Sequence, residues 1–530
     1  MRFSPLAGDK HLASHGVAFR FVIQLTLLTG LVFCDPLTTS AGQPESNRRV
    51  TMVDSEGAEY LGVRRCKLCH DRRPESRPVD PIDKEFGFTD FVDLTEFHTW
   101  YDKDKHSQAY NVLEGNLGKQ IGRVLGIDVT KSERCLTCHA TWRQEYRPAN
   151  QEIKLGVTCE GCHGPSRRWF IPHMDPPWRA KSPKEKESLG MVDVRNPVNR
   201  ARQCFSCHLG SAAEGKVVTH AIYAAGHPPL SGMEVETFFT KVPAHWTAVG
   251  KKNDAIKQLL HYDPAEKSQT KSVILGGVMA LREAVNFFAN RVATTRQETT
   301  GPDFADYNCY ACHHELKKMD WRQRRGYRYT PGYPAMREWP EALVRLGIFQ
   351  LSKDAGSYQK KKQELRAKLD RLHDAVNSRP FGEPGRIGNP REKSGVSGDL
   401  IAWLDRTITE LEASRYDQAA AVKALQKLSN PVEPDDPPYA QYPDYDYAKQ
   451  IAWAMTAVYG DLNPKPANDA EIGQIFNRLH DRLNLEVQAD RSASQGKTET
   501  SFSERLKSAA SYDPVWFKEQ LKTLSNLLPK

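Results

Sequence analysis

The sequence predicts a mainly α fold, with much irregular chain in its first 335 residues and a helical region after them. Three observations carry this expectation. Apolar residues recur at three- and four-residue spacing at 270–295 and 365–376, while the two-residue alternation of half-buried strands is scarce. Pro- and charge-rich stretches at 71–90 and 176–200 interrupt the first half. The unit Cys-x-x-Cys-His occurs five times, opening at Cys66, Cys135, Cys159, Cys204 and Cys309, and no cysteine follows Cys312.

In chain order, Arg2, Lys10 and Arg20 precede the apolar run Phe21–Phe33, and Thr39-Ser-Ala41 offers small residues for cleavage. Residues 1–41 therefore read as a signal peptide, cleaved near Ala41, and the mature chain as exported to the periplasm. A retained membrane anchor is the alternative; lipidation at Cys34 is disfavoured by bulky Phe33. No later stretch is expected to span a membrane. The segment Thr99–Tyr110 reads as the start of a helix. Ile274, Val278, Leu281, Val285, Phe288 and Val292 form one face of a helix over 270–295. Leu365, Leu369, Leu372 and Val376 mark another, and further helices are expected at 399–428, 446–460 and 468–484, with breaks at 380–390 and 431–443. The resulting division is a signal peptide at 1–41, a haem-binding domain at 42–335 and a helical region at 336–530.

The chemistry lies in the repeats. Two thiols and an imidazole within five residues allow both cysteines to bond the porphyrin vinyl groups while the histidine takes the iron, so five copies predict five covalent c-type haems. The attachment residues are Cys66, Cys69, Cys135, Cys138, Cys159, Cys162, Cys204, Cys207, Cys309 and Cys312. The proximal iron ligands are His70, His139, His163, His208 and His313. Zinc ribbons are the plainer alternative, but they do not require histidine directly after the second cysteine. With 39% hydrophobic and 26% charged residues and a mean hydropathy of −0.62, the chain predicts a thin apolar core that the macrocycles fill.

The far side of each iron needs a second ligand if electron transfer is to be fast. His106, His173, His220, His227 and His245 lie among the haem sites and match them in number. His314 cannot cap the iron held by His313, although it could reach a neighbour. Met174 and Met233 are weaker axial candidates, and His261, His373 and His480 are expected on helix surfaces. His173 follows His163 too closely to fold back over the same haem and is expected to cap a neighbouring one. The 135 and 159 sites, 24 residues apart, are expected to hold neighbouring haems.

The run Gly156-Val-Thr-Cys-Glu-Gly-Cys-His-Gly-Pro-Ser166 with its trailing histidine resembles the signature of the cytochrome c-554/c-prime type of multihaem cytochromes. So do Asp104-Lys-His-Ser-Gln-Ala-Tyr110, Gln203-Cys-Phe-Ser-Cys-His-Leu-Gly210, Ala225-Gly-His-Pro228 and Cys309-Tyr-Ala-Cys-His-His-Glu-Leu316. The resemblance spans about residues 60–330. It implies a periplasmic electron carrier with closely packed, mostly bis-histidine haems, and it makes His106, His173 and His227 distal ligands. The fifth site, the 71–90 insertion and the helical tail depart from the tetrahaem pattern.

The net charge of +8 falls to about +2 once the signal peptide is removed and the propionates of five ferric haems are counted, which gives no support to nucleic-acid binding. The expected partners are redox proteins, either other cytochromes or a quinol-linked donor. Membrane contact is expected only if the N-terminal segment is retained. The 336–530 helices could dock a partner or a second copy. The leading function is electron transfer. The alternative is a redox enzyme of hydroxylamine, nitrite or NO chemistry, which needs one five-coordinate haem; no residue stands out as catalytic for it.

Overall fold

The computed structural model describes residues 60–71, 91–143, 148, 150–230, 232–295, 303–314, 334–378, 384–436, 443–487 and 501–529. The expected signal peptide, Cys34, residues 72–90 and the 315–333 segment lie outside the described residues. Two compact units divide the chain, residues 1–51 and 52–530, and only the second contains described residues.

The described chain is mainly helical, as expected. It has no strand, only isolated bridges pairing Ser211 with Lys216 and Tyr307 with Met336. The helices that matter here are α1 (Val63–His70), α2 (Glu96–Lys103), α3 (Asn116–Leu125), α4 (Glu133–His139), α5 (Cys159–His163), α6 (Pro197–His208), α7 (His220–Ala224), α8 (Val235–Phe239) and α9 (Ser268–Thr295). They continue as α10 (Val344–Gln350), α11 (Ala355–Asn377), α12 (Gly395–Glu412), α13 (Gln418–Leu428), α14 (Tyr445–Gly460), α15 (Asp469–Leu483), α16 (Phe502–Ser511) and α17 (Pro514–Leu527).

Four local expectations are corrected. The Thr99–Tyr110 segment ends a helix instead of starting one: the Trp100 carbonyl accepts from Asp104 N–H, and Asp104 then caps a 3₁₀ turn over Lys105–Gln108. Residues 176–200 contain short helical turns at Pro177–Ala180 and Pro183–Ser188, the second closed by a Ser182/Glu185 capping box. The helix expected over 399–428 is two helices, because the Asp417 side chain caps α13 and stops α12 from running on. His373 is buried beside Glu341, and His261 sits at φ +51° just beyond a short helix, so neither lies on a helix surface.

The main apolar core centres on α9. From Ser272 to Leu281 this helix is buried all round, and the single face expected from the sequence emerges only in its second half. It packs against α6, α8, α10, α12 and α14. Gly277 permits the closest of these approaches, since a Cβ there would meet Leu343 Cβ at 2.4 Å. The stretch Ser268–Ala293 has a mean hydropathy of 1.4 and is long and apolar enough to cross a membrane, contrary to the sequence expectation, but 78% of that window is buried inside the protein. The core extends through α10–α17, so residues on both sides of position 336 share it. It is therefore a substantial protein-only core, where the composition predicted a thin one. In the first half, Val198, Ala201, Phe205, Leu209, Met233 and Val235 of the α6 and α8 region join this core, and two small clusters, one around Trp142 and Ile121 and one of Val63, Phe97 and Trp100, supply the rest.

Candidate functional site

Four of the five Cys-x-x-Cys-His units end helices. His70 closes α1, His139 closes α4, His163 closes α5 and His208 closes α6, while Cys309–Ala311 forms a 3₁₀ turn leading to His313. A helical turn puts the two thiols on one side and sends the next imidazole forward past them.

Each of these five histidines faces one of the five others expected as partners. Ring centroids are 6.3 Å apart for His70 and His173, 6.2 Å for His208 and His106, and 6.3 Å for His139 and His227. They are 6.2 Å apart for His163 and His245, and 6.2 Å for His313 and His220. Two imidazoles on one metal, with bonds of about 2 Å and the two ring radii added, require a separation of about 6 Å. The gaps thus fit one iron between each pair. Every histidine is used once, so His314, Met174 and Met233 stand outside the pairs. Burial pushes His139, His208, His227 and His245 down from the ordinary imidazole range, and His163 to about 4, the last with help from neighbouring His245 and His70. A neutral ring keeps the lone pair that a metal needs.

Five of these rings are anchored through the second nitrogen. His139 Nδ1 bonds the Ala109 carbonyl at 2.8 Å, His227 Nδ1 that of Pro228 at 2.7 Å, and His173 Nδ1 that of Phe170. His70 and His106 differ, each meeting a carboxylate: Glu96 Oε2 and Asp104 Oδ1, both at 2.9 Å. His98, outside the pairs, brings Nε2 within 2.5 Å of Asp71 Oδ1.

The pairs at His70, His106, His139 and His163 line one continuous cavity of about 2150 Å³, more than twice the upper end of the range of about 300–1,000 Å³ usual for a single ligand. The fifth pair lies outside that lining. Thiols of different units touch: Cys66 lies against Cys159, and Cys138 against Cys207. Gln203, just before Cys204, donates to the Gly161 carbonyl inside the 159 unit. The 135 and 159 units, close in sequence, are joined through Thr141, whose Oγ1 accepts from Thr158 N–H at 2.8 Å and whose N–H donates to the Gly156 carbonyl at 2.9 Å. Burial holds Cys162 up at about 12 and Cys204 at about 11, so neither is a ready thiolate ligand. Among the described residues no group of three or more His, Cys, Asp or Glu side chains converges on a point.

Several residues that build the site carry no signal in spacing. Glu160, the first variable residue of the 159 unit, is 2% exposed and accepts from Leu61 N–H (3.0 Å), Gly62 N–H (2.8 Å) and Ser166 N–H (2.8 Å) and Oγ (2.6 Å). It thereby ties the entry of α1 to the turn after His163. Gly156, at φ +69°, lets this turn approach the His106 segment, because a Cβ there would lie 2.4 Å from the His106 carbonyl oxygen. At the fifth unit the C-terminal helices take part. Phe502 of α16 meets His313 edge-on at 4.8 Å, and Arg505, bonded to Asp446 at 2.7 Å and to the Leu230 carbonyl at 3.0 Å, lies beside Tyr310.

No curated protein and no solved structure matches this chain. Residues 65–164, about a fifth of the chain, match the family model of cytochrome c554 and c-prime, and this match supports a covalently held c-type haem and a role in electron transfer.

Proposed function

We propose that the chain is an exported pentahaem cytochrome that passes electrons through five covalently held, bis-histidine haems. The observation that carries this reading is the pairing of every motif histidine with a different second histidine across a gap of one metal atom. Haem supplies the one-electron couple. The chain holds each macrocycle by two thioethers, fixes both axial rings of the Cys66 and Cys135 sites and the His106 ring of the Cys204 site through their second nitrogens, and keeps water from the irons by filling both faces. With both faces filled, little has to move between oxidation states.

The thiol contacts support a single file that differs from the sequence order: the Cys66 site beside Cys159, then Cys204, then Cys135. The Cys309 site follows, because its partner His220 and the partner of the Cys135 site, His227, lie on one short segment. Electrons would enter or leave at the Cys66 and Cys309 ends, where redox partner proteins would dock.

Three measurements test this. Mass spectrometry of the mature protein should give five haems above the polypeptide cleaved near Ala41. The ferric protein should give only low-spin EPR signals. The ferrous protein should not bind carbon monoxide. A high-spin signal with carbon monoxide binding would instead assign an open iron and favour an enzyme of nitrogen-oxide chemistry; fewer than five haems would end the pentahaem reading.

A further inference from the structure

The two carboxylates on axial rings set two of the sites apart. At the Cys135 site both rings give their Nδ1 hydrogen bonds to neutral backbone carbonyls, of Ala109 and Pro228. At the Cys66 site His173 does the same with Phe170, but His70 donates to Glu96. At the Cys204 site the ring opposite His208 is His106, which donates to Asp104.

Both carboxylates are built into place. Glu96 keeps its other oxygen on the N–H groups of Asp93 (2.8 Å) and Leu94 (3.1 Å), so Oε2 is left to face His70. Leu94 adopts φ +59°, a left-handed conformation rare for a branched side chain, and it is 7% exposed. Asp104 is 4% exposed, and its Oδ1 also accepts from His106 N–H at 2.9 Å, which locks the acid and the ring into one turn. The buried cations at the Cys204 site, Lys216 and Arg200, are paired with Glu214 at 2.8 Å and with Glu236 at 2.9 Å, and so do not offset Asp104.

We propose that Glu96 and Asp104 are positioning residues that lower the reduction potentials of the Cys66 and Cys204 irons below that of the Cys135 iron. An anion accepting the ring proton makes the imidazole more basic, and a more basic ligand favours ferric over ferrous iron. A carbonyl acceptor, being neutral, does so less.

The inference rests on the bis-histidine reading, and the test separates the two. The full-length haem protein and its Glu96→Gln and Asp104→Asn variants are titrated electrochemically, with each low-spin EPR signal followed separately. The expected result is that each variant raises the midpoint of one haem, a different one in each, shifts that haem's g-values and leaves the other four in place. Glu152→Gln is the control: this acid also lies at α1, on Arg64 N–H and not on an axial ring, and its loss should leave the His70 haem unmoved. Five low-spin haems with unchanged midpoints in both variants would overturn the proposal and leave the bis-histidine reading intact. A high-spin signal in both variants would also overturn it, assigning the acids to seating the rings only. A high-spin signal in the unmodified protein would instead strike the underlying reading.

Discussion

His227 has one task in the arrangement, to face His139 with its Nδ1 fixed by the Pro228 carbonyl. Replacing it with alanine should turn one haem of the ferric protein high-spin and give one carbon monoxide site per molecule, with the remaining signals unchanged. A second residue-scale prediction concerns Glu433. Burial alone would raise its carboxyl, but bonds from Lys362, Lys427 and Tyr358 outweigh burial and hold it at about 2. Its folded value lies below its unfolded one, so the stabilisation is complete above about pH 4.5 and is lost as the pH falls towards 2. Glu433→Gln should cost about 2–4 kcal/mol at neutral pH, because 4% exposed Lys362 loses its closest anion, and should flatten the acid limb of urea-unfolding curves read by circular dichroism.

Among the elements, α9 carries the protein-only core and α16 reaches the fifth site. Leu281→Ala should destabilise the protein by about 2–5 kcal/mol in chemical denaturation, since the side chain is 3% exposed and its neighbours are held by several helices. The haem spectrum of the folded fraction should be unchanged. Phe502→Ala should do the reverse: a modest change in stability, with a shift in the signal of one haem, that held by His313. Both helices also mark how far the sequence could be read. The periodicity of 270–295 gave the helix and its ends almost to the residue. It did not give burial all round at Ser272–Leu281, because encirclement depends on α6, α8, α10, α12 and α14, which are distant in sequence. The contact of Phe502 with His313 spans nearly two hundred residues and left no local pattern.

At the scale of the molecule, two halves of different character share one unit. The first has small apolar clusters around a cavity of about 2150 Å³, and the second packs on itself. Protein made without haem attachment should therefore lose amide protection through residues 60–195 in hydrogen exchange, while α6, α8 and α9–α15 retain it. Equal protection in both halves would contradict this division.

What the sequence alone supplied is the five repeats and the set of histidines lying among them. Cys-x-x-Cys-His is a local unit whose function follows from spacing, and His106, His173, His220, His227 and His245 could be chosen because they lie among the repeats. The mainly helical class was equally legible, because periodicity is a local property of the chain. Only the tertiary structure decided which histidine faces which, that the 159 unit lies near the 66 unit as well as the 135 unit, and that Glu96 and Asp104 stand behind two of the rings. The reason is physical. A pairing across 6 Å is set by where separate helices come to rest against one another, and the sequence distance between the partners, 103 residues for His70 and His173 and 82 for His163 and His245, holds no record of it.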